Sequence, residues 1–355
     1  MLHTTEHQDP AVPSPTPSAP DAAPVTDQPT SWQHLSGLAV GLSLLVTLVL
    51  LAFSWPATVA EPRDLPLAVV GQQEQVEAMG GTLAQSAPGV FSVEAATDRT
   101  AAVRMIEERE VYGAVVMAPA PEVLVSSAAN VAVSQVLAGL AAPLQAMAPP
   151  AAADAAAEPV AVEVTDVVPL SEDDPRGTGL SAAALPIVIG GMLGGVVTSL
   201  VVRGASRRIV GLVGYSVLSG GAMTLVLGPW FGFLPSNPVG IWAVFALTVL
   251  SISSCIAGLA SLVGRAGIAV GALTFLLLGN PLSGVALPKE FLPGPWGEIG
   301  QLLPPGAGST LLRLVSYFPE ASALQPWLVL TAWTALGLAL LLIGHRRTVV
   351  ASVPS

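Results

Sequence analysis

Six apolar stretches divide the sequence, and their spacing constrains the fold more than any other feature. One stretch stands alone near the amino terminus, and five lie close together after a long segment of mixed polarity. A helix needs about 20 mostly apolar residues to cross a hydrocarbon core of about 30 Å. Six segments come near that length: 35–53, 181–202, 209–229, 239–263, 266–282 and 326–344. The spacing predicts an α-helical polytopic membrane protein with six transmembrane helices and an α/β domain inserted between the first two.

The composition agrees with a chain that lies largely in lipid. Hydrophobic residues make up 52% of the sequence and charged residues only 10%, whereas charged residues form about a quarter of a typical soluble domain. Between Pro175 and Lys289 the chain has no Asp or Glu. Ion-driven carriers usually keep a buried acidic side chain in their path, because such a group is costly in lipid and is retained only for function. The sequence therefore argues against a proton- or sodium-coupled carrier.

Positive charges in short loops predict the orientation, because Lys and Arg are more frequent in cytoplasmic loops than in outer ones. The arginines that separate or follow the later spans all fall on one side of the predicted topology: Arg203, Arg207, Arg208, Arg265, Arg346 and Arg347. We therefore expect a multi-pass protein of the cell membrane with both termini in the cytoplasm and residues 60–170 outside.

This topology divides the chain into successive parts. They are a disordered cytoplasmic tail at 1–34, a transmembrane helix at 35–55, an extracytoplasmic α/β domain at 60–170, a five-helix transmembrane domain at 180–347 and a cytoplasmic tail at 348–355. Within the five-helix domain we expect an outer re-entrant or interfacial segment at 284–325. The first span could instead be a cleaved signal peptide, since small residues follow it. The tail before it has no Lys or Arg, however, and the apolar core exceeds the 7 to 15 residues of a typical signal, which favours a retained anchor.

Residues 60–170 alternate between strand and helix patterns. Short apolar or alternating runs predict strands at 65–70, 90–95, 111–117, 123–126 and 160–168. Helical spacing of apolar residues predicts helices at 72–85, 98–109 and 128–147, the second capped by Asp98. Residues 149–157 read as an Ala/Pro linker. The result is a compact α/β domain without a disulfide.

The sequence offers no catalytic constellation. The histidines are too scattered for a metal-ligand pair, and the single cysteine falls within a span: His3, His7, His34, His345 and Cys255. No Gly-x-Ser-x-Gly elbow is present, and the sole lysine, Lys289, does not stand in the Gly-Lys-Ser/Thr context of a P-loop. We expect no catalytic residues, no metal site, no cofactor and no enzyme activity in this chain. Any ATP hydrolysis would belong to a partner.

Two short patterns each leave alternatives open. The glycines of the second predicted span form two overlapping small-xxx-small pairs: Gly190, Gly191, Gly194 and Gly195. Such pairs let helices approach closely, within one chain or, as the alternative, at a homodimer seam. The run from Asp173 to Gly177 could bind a cation, although carboxylates beside a proline more often form a turn, here leading into the second span.

The segment after the fifth predicted span is interrupted by proline and glycine, so it cannot form one straight span. Four residues mark its steps, and we expect short helices at the outer surface around them: Pro288, Pro293, Trp296 and Pro304. Here the chain resembles the ABC-2 type transporter permease superfamily, whose members show a similar proline-stepped re-entrant segment before the final span. The one-plus-five layout resembles more narrowly the YhgE/Pip-like actinobacterial branch, with matching stretches at 65–70, 109–116, 124–130 and 166–170.

The resemblance covers roughly residues 35–347 and implies an exporter permease that moves an apolar or amphipathic substrate outward. Its energy would come from a separate ABC ATPase subunit, which would meet the loop that holds Arg203, Arg207 and Arg208. That basic loop could equally serve only to orient the chain in the membrane. Two permeases, identical or paired, would line the path, in contact with membrane lipid and without nucleic acid. The alternative is a non-transporting surface or secretion-accessory protein of the YhgE/Pip kind, whose outer domain binds a partner.

Overall fold

The computed structural model describes residues 31–117, 121–147, 162–285 and 287–351 of the 355-residue chain. Almost all of the amino-terminal tail, the Ala/Pro linker and the last four residues lie outside this part. The chain forms two compact units, Met1–Thr47 and Leu48–Ser355. The described part of the first unit is the amino-terminal portion of helix α1 (Trp32–Val59). All other elements belong to the second unit.

A mixed sheet with flanking helices follows α1, and we call it the lobe. Its elements are β1 (Leu65–Val70), α2 (Gln73–Ser86), β2 (Phe91–Ala96), α3 (Arg99–Glu107), β3 (Gly113–Val116), β4 (Glu122–Val125), α4 (Val131–Ala138), α5 (Ala141–Met147) and β5 (Glu163–Asp166). The later elements are helical: α6 (Thr178–Val201), α7 (Ala205–Leu225), α8 (Pro238–Val263), α9 (Arg265–Thr274), α10 (Trp296–Gln301), α11 (Pro304–Tyr317) and α12 (Leu324–Ala351).

Five helices in the described residues are long and apolar enough to cross a membrane: Trp32–Val59, Thr178–Val201, Ala205–Trp230, Pro238–Val263 and Leu324–Arg346. They coincide with five of the six predicted spans, and the protein is a helical, membrane-embedded one. The predicted fifth span forms a shorter apolar helix, Arg265–Gly279. At about 1.5 Å per residue it is shorter than a 30 Å hydrocarbon core. Pro281 follows closely and limits its extension.

Helix α8 is the centre of the helical part, in contact with α6, α7, α9, α11 and α12. Its large side chains Phe245, Ile252 and Ile256 are fully buried. Glycines bring neighbouring helices against its backbone: a Cβ on Gly258 would collide with the carbonyl of Gly337 in α12, and one on Gly337 would collide with the backbone of α8. Small residues at such seams allow the van der Waals contact that holds helices together in lipid.

The five strands form one sheet in the order β2-β1-β3-β4-β5. Only β3 and β4 pair antiparallel. One face carries Leu67, Val69 and Val115 beneath residues of α2, α4 and α5, and the opposite face carries Ala68 and Val70 beneath α3. A strand forms in each of the five predicted strand stretches and a helix in the first two predicted helix stretches, with Asp98 accepting a hydrogen bond from the Ala101 amide at 2.8 Å. The one long helix predicted at 128–147 is wrong in detail, because the chain breaks it at Gly139 and Leu140.

The register of the sheet places the two chain connections at one edge. Gly113, which begins β3, pairs with both Leu67 in β1 and Val125 at the end of β4, and Val125 pairs with Asp166 at the end of β5. The amino end of β1 and the carboxyl end of β5 therefore lie at the same edge. The connections from α1 and to α6 leave the lobe there, so this edge faces the helical part.

The seam between α8 and α12 predicts a sharp difference between two identical substitutions. Gly337→Leu would force a side chain into the backbone of α8, whereas a Cβ on Gly211 of α7 would meet no neighbouring atom within 4 Å. Overpacking of this kind destabilises by about 1–3 kcal/mol. We expect Gly337→Leu to lower the melting temperature of the detergent-solubilised protein by several degrees and Gly211→Leu to leave it unchanged. Equal melting temperatures would contradict the proposed seam.

Candidate functional site

The lobe meets the segment after α9 along a surface that we call the junction. It comprises residues 61–63, 109–112 and 126–130 on the side of the lobe and residues 284–285 and 287–325 of the helical part. Phe291, in a short 3-10 turn (Lys289–Phe291), is buried in the apolar cluster on one face of the sheet. Its carbonyl accepts hydrogen bonds from the Arg63 guanidinium at 2.8 Å and the Glu61 amide at 3.2 Å. The junction therefore joins the two parts through both packing and hydrogen bonds.

A tyrosine and a carboxylate pair across the junction. The Tyr112 hydroxyl donates to Glu290 Oε2 at 2.8 Å, and the Glu290 carboxylate lies 4.0 Å from Lys289 Nζ. Burial raises the pKa of Tyr112, and the negative charge of Glu290 raises it further. The phenol is therefore protonated at neutral pH and acts as a hydrogen-bond donor to the carboxylate.

Arg109 adopts a conformation that is unusual for its residue type. It follows α3 with a φ of +59°, in the left-handed region that glycine occupies easily. For other residues such a conformation costs on the order of 1–3 kcal/mol. Its guanidinium lies over the Phe318 ring, 5.2 Å from the ring centroid. The left-handed residue ends α3, where the amides of Arg109 and Glu110 donate to the carbonyls of Ile106 and Met105.

Arg313 brings a second guanidinium to the junction from α11. Its terminal nitrogen donates to the Val285 carbonyl at a long 3.4 Å, and its Nε has no hydrogen-bond partner among the described residues. Burial lowers the pKa of Arg313 to about 10, and the nearby positive charge of Arg109 contributes to the decrease. The side chain is still protonated at neutral pH. The junction therefore holds a positive charge that no described carboxylate pairs with.

Cavities of about 300, 110 and 60 Å³ lie along the junction. Arg109, Tyr112 and Lys289 line the two larger ones, and Arg313 lines the two smaller ones. The space beside the arginines is thus open to a small group. Among the described residues, no three His, Cys, Asp or Glu side chains are placed to hold a metal ion together. The chemistry that this arrangement supports is the binding of a negatively charged group.

The residues predicted for the re-entrant segment lie at the ends of short helices. Pro288 precedes the 3-10 turn, Pro293 lies between that turn and α10, and Trp296 begins α10. The Trp296 ring packs edge-on against Trp55 at the end of α1, with 5.9 Å between ring centroids. Pro304 is the first residue of α11 and is buried. The proline steps thus separate three short helices, as the sequence pattern predicts.

The four glycines singled out on α6 face two different helices. A Cβ on Gly191 or Gly195 would lie 2.7–2.8 Å from Ile252 or Ile256 of α8, and one on Gly194 would collide with the Tyr215 ring of α7. Gly190 accepts a hydrogen bond from the Tyr215 hydroxyl at its carbonyl, at 2.8 Å. The surfaces of these glycines are therefore occupied by helices of the same chain.

The three arginines of the loop between α6 and α7 have different surroundings. Arg208 donates to the carbonyls of Val202 at 2.7 Å and Ser199 at 3.0 Å, and to the Ser261 hydroxyl at 3.2 Å. A positive charge at the carboxyl end of α6 is favourable because the helix dipole is negative there. Arg203 and Arg207 are exposed. Arg208 thus has a structural role, whereas the side chains of Arg203 and Arg207 are exposed to solvent.

The run from Asp173 to Gly177 forms a turn that begins α6. The buried Asp174 carboxylate accepts hydrogen bonds from the Thr178 and Gly179 amides, both at 2.8 Å. Those amides belong to the first turn of the helix, where no intrahelical acceptor exists. Asp174 therefore caps the helix, and the turn interpretation is confirmed.

The sequence pattern did not single out the residues that meet at the junction. Arg109 and Tyr112 belong to one segment of the lobe and Glu290 lies 178 positions after Tyr112, so only the fold shows that these two segments are neighbours. Arg313 carried a usable signal, since it is the one charged residue within the 14-residue α11. An ionisable residue in an apolar membrane-protein segment is a functional candidate by default.

The Tyr112–Glu290 pair predicts non-additive effects of substitution. Tyr112→Phe leaves a partly buried carboxylate without its donor and should lower the free energy of unfolding by about 1–3 kcal/mol. After Glu290→Ala, the same Tyr112 substitution should have a much smaller effect. Thermal unfolding of the single and double variants measures this coupling. The control is Tyr317→Phe with Glu290→Ala, which should be additive because Tyr317 donates to the Phe233 carbonyl instead. Additivity in both pairs would contradict the bond.

In comparisons with known proteins, no protein-family model, no curated protein and no solved structure matches this chain. Inferences about function therefore depend on the chain's own residues.

Proposed function

We propose that the chain is an ABC-2 type exporter permease subunit, which moves an apolar or amphipathic molecule across the cell membrane with energy from a separate ATPase chain. The observation that carries the proposal is the charge distribution of the long helices. From Pro175 to Lys289 the chain has no carboxylate, and the described spans in this range contain no ionisable pair that could couple to an ion gradient. Transport through such helices would need an external source of energy.

Several arginines lie together at one end of the long helices, and they support the proposal that this end faces the cytoplasm. Arg208 connects the carboxyl end of α6 to Ser261 near the carboxyl end of α8, so these helix ends lie together. Exposed Arg203 and Arg207 lie beside them, and Arg265 begins α9 at the same end. Positive charges favour the cytoplasmic face of a membrane protein. Under the proposal, Arg203 and Arg207 are the groups available to an ATPase partner.

The opposite end supports the placement of the lobe outside the cell. The edge of the lobe faces the amino end of α6, and Tyr317 of α11 donates to the carbonyl of Phe233 in the loop between α7 and α8, at 2.8 Å. The Ser171 hydroxyl, just before α6, donates to the Gly232 carbonyl at 2.7 Å. These loops therefore gather at one end, away from the basic loop. If the basic end is cytoplasmic, the lobe lies outside.

A non-transporting accessory protein is the second candidate. The observation that favours it is that the ionisable cluster lies at the junction, between the lobe and α11, and not within the long helices. A protein whose outer part binds a partner could use the junction to hold the lobe in a fixed position. Association with an ATPase separates the two candidates, since only the permease requires it.

Cysteine labelling tests the proposed orientation. The only native cysteine, Cys255, is buried, so Cys255→Ala gives a background without reactive thiols. In intact cells, we expect a membrane-impermeant maleimide to label Thr100→Cys on the lobe but not Ser206→Cys beside the basic loop. Both positions are exposed in the structure. Permeabilised cells provide the control, in which both should react. Labelling of Ser206→Cys alone in intact cells would overturn the orientation.

Substitutions in the basic loop test the proposed coupling to an ATPase. We expect Arg203→Gln with Arg207→Gln to reduce co-purification of a nucleotide-binding protein, and ATP-driven efflux with it, while the melting temperature stays the same. Arg208→Gln should lower the melting temperature, because its hydrogen bonds to α6 and α8 are lost. Arg104→Gln, at an exposed site on the lobe, is the matched control. A wild-type chain that never associates with an ATPase would refute the permease assignment.

A further inference from the structure

We infer that the junction contains a binding site for a phosphate group, formed by Arg313 of α11 and Arg109 of the lobe, which both line the 110 Å³ cavity. This site goes beyond the proposed transport function and does not require it, because the purified chain alone should bind the group. The inference depends on the charge balance of the cavity, the free hydrogen-bonding capacity of the arginines and the space between them.

The charge balance of the cavity is positive. Its ionisable lining residues are Arg109, Lys289, Glu298 and Arg313, with Tyr112 protonated. Lys289 is paired with Glu298 at 2.7 Å, so the remaining charges are those of the two arginines. Neither arginine has a carboxylate within ion-pair distance among the described residues. Partly enclosed charges without a partner are destabilising, and an anion bound by the two guanidinium groups would offset this penalty.

The negative charges of the junction do not fill this role. Glu290 accepts the Tyr112 hydroxyl and lies nearest to Lys289. Glu108 and Glu110 line the neighbouring cavity of 300 Å³, which they share with Glu290. The adjacent cavity is thus acidic, whereas the smaller one is basic. An anion is therefore expected in the smaller cavity only.

The geometry suits a group with several acceptor oxygens. The Nε atom of Arg313 has no hydrogen-bond partner among the described residues, and its terminal nitrogen makes only one long hydrogen bond. The Arg109 guanidinium lies over the Phe318 ring and donates no hydrogen bond to a described residue. Guanidinium groups bind phosphate through paired N–H donors. The cavity volume of about 110 Å³ is several times the roughly 10–15 Å³ that one water needs. It can hold a phosphate group.

Three uncharged polar side chains that line the cavity form hydrogen bonds within the chain. The Thr310 hydroxyl donates to Gln301 at 2.5 Å, and the Gln301 amide donates to the Ser283 carbonyl at 3.1 Å. Asn130 uses its side-chain oxygen to cap α4. Because these groups are satisfied within the chain, they do not compete for the arginines. Among the charged groups of the lining, the two guanidinium groups are the ones left to bind a ligand.

An apolar cavity of about 270 Å³ lies on the other side of the same chain segment. Gly284 lines both cavities, and Val285 lines the apolar one while its carbonyl accepts from Arg313. The wall of the apolar cavity includes Phe53, Leu185 and Leu292. A phosphate group could therefore belong to a free anion or to the head of a lipid whose chains occupy apolar surroundings. The chemistry that Arg313 recognises is the same in both cases.

The test uses the purified full-length chain without an ATPase. Isothermal titration calorimetry and thermal unfolding would be measured with inorganic phosphate in neutral detergent, and thermal unfolding in nanodiscs of phosphatidylcholine alone or with added phosphatidylglycerol. We expect saturable stabilisation by at least one probe. A response to phosphate in detergent would identify a free anion, and a response to phosphatidylglycerol alone would identify a lipid head.

Variants connect the response to the two arginines. Arg313→Gln removes the unpaired charge, so its melting temperature without ligand should equal or exceed that of the wild type, and its stabilisation by the active probe should disappear. Arg109→Gln should weaken binding about tenfold or more, because it removes charge-assisted hydrogen bonds. If Arg313→Gln does not fold, the Arg109 variant still decides the matter. Arg104→Gln on α3, at an exposed residue that does not line the cavity, should respond as the wild type does.

Two results would overturn the inference. One is the absence of saturable stabilisation of the wild type by either probe. The other is stabilisation that persists unchanged in Arg109→Gln and in folded Arg313→Gln, which would place the anion elsewhere on the chain.

Discussion

Close backbone contact at α8 is the constraint on which the rest of the structure depends. In lipid, apolar side chains gain little by moving from the membrane to a helix interface, so helices associate through tight packing. Glycines in α6 and α12 provide it, since Gly195 lies against Ile256 and Gly337 lies against the backbone near Cys255. With α8 held on two sides, its amino-terminal half, which includes Phe245, packs against α11. The position of α11 then determines where Arg313 meets the lobe.

The junction combines strong cohesion with an unbalanced charge. Phe291 and the Arg63 hydrogen bond join the parts, while Arg109 and Arg313 bring two positive charges to a small cavity. A structure selected for stability alone would be expected to pair these charges or replace them, because buried unpaired ions are destabilising. The two unpaired charges of the junction thus lie outside the long helices, at the boundary between the lobe and the helical part.

The sequence predicted most elements because their signals are local. Asp98 precedes an amphipathic helix and does cap it, and five apolar stretches have the length of a span. The fifth predicted span, which is the shortest of the six, forms a shorter helix because Asn280 and Pro281 follow it, and this local signal is visible in the sequence. The site was not predictable in the same way. Tyr112 and Glu290 are 178 positions apart, and no local pattern of charge or spacing reports such a contact.

The burial of Phe291 in the sheet cluster has a consequence for how this chain can be divided. That ring belongs to a segment that follows α9, yet it completes the apolar layer formed by residues such as Leu65 and Leu137. A fragment that contained only the residues between the first two long helices would lack the Phe291 side chain. Its apolar core would then have a cavity open to water. The lobe and the later segment therefore share one apolar core at this point, and the lobe reaches its final packing only after the segment that contains Phe291 has been synthesised.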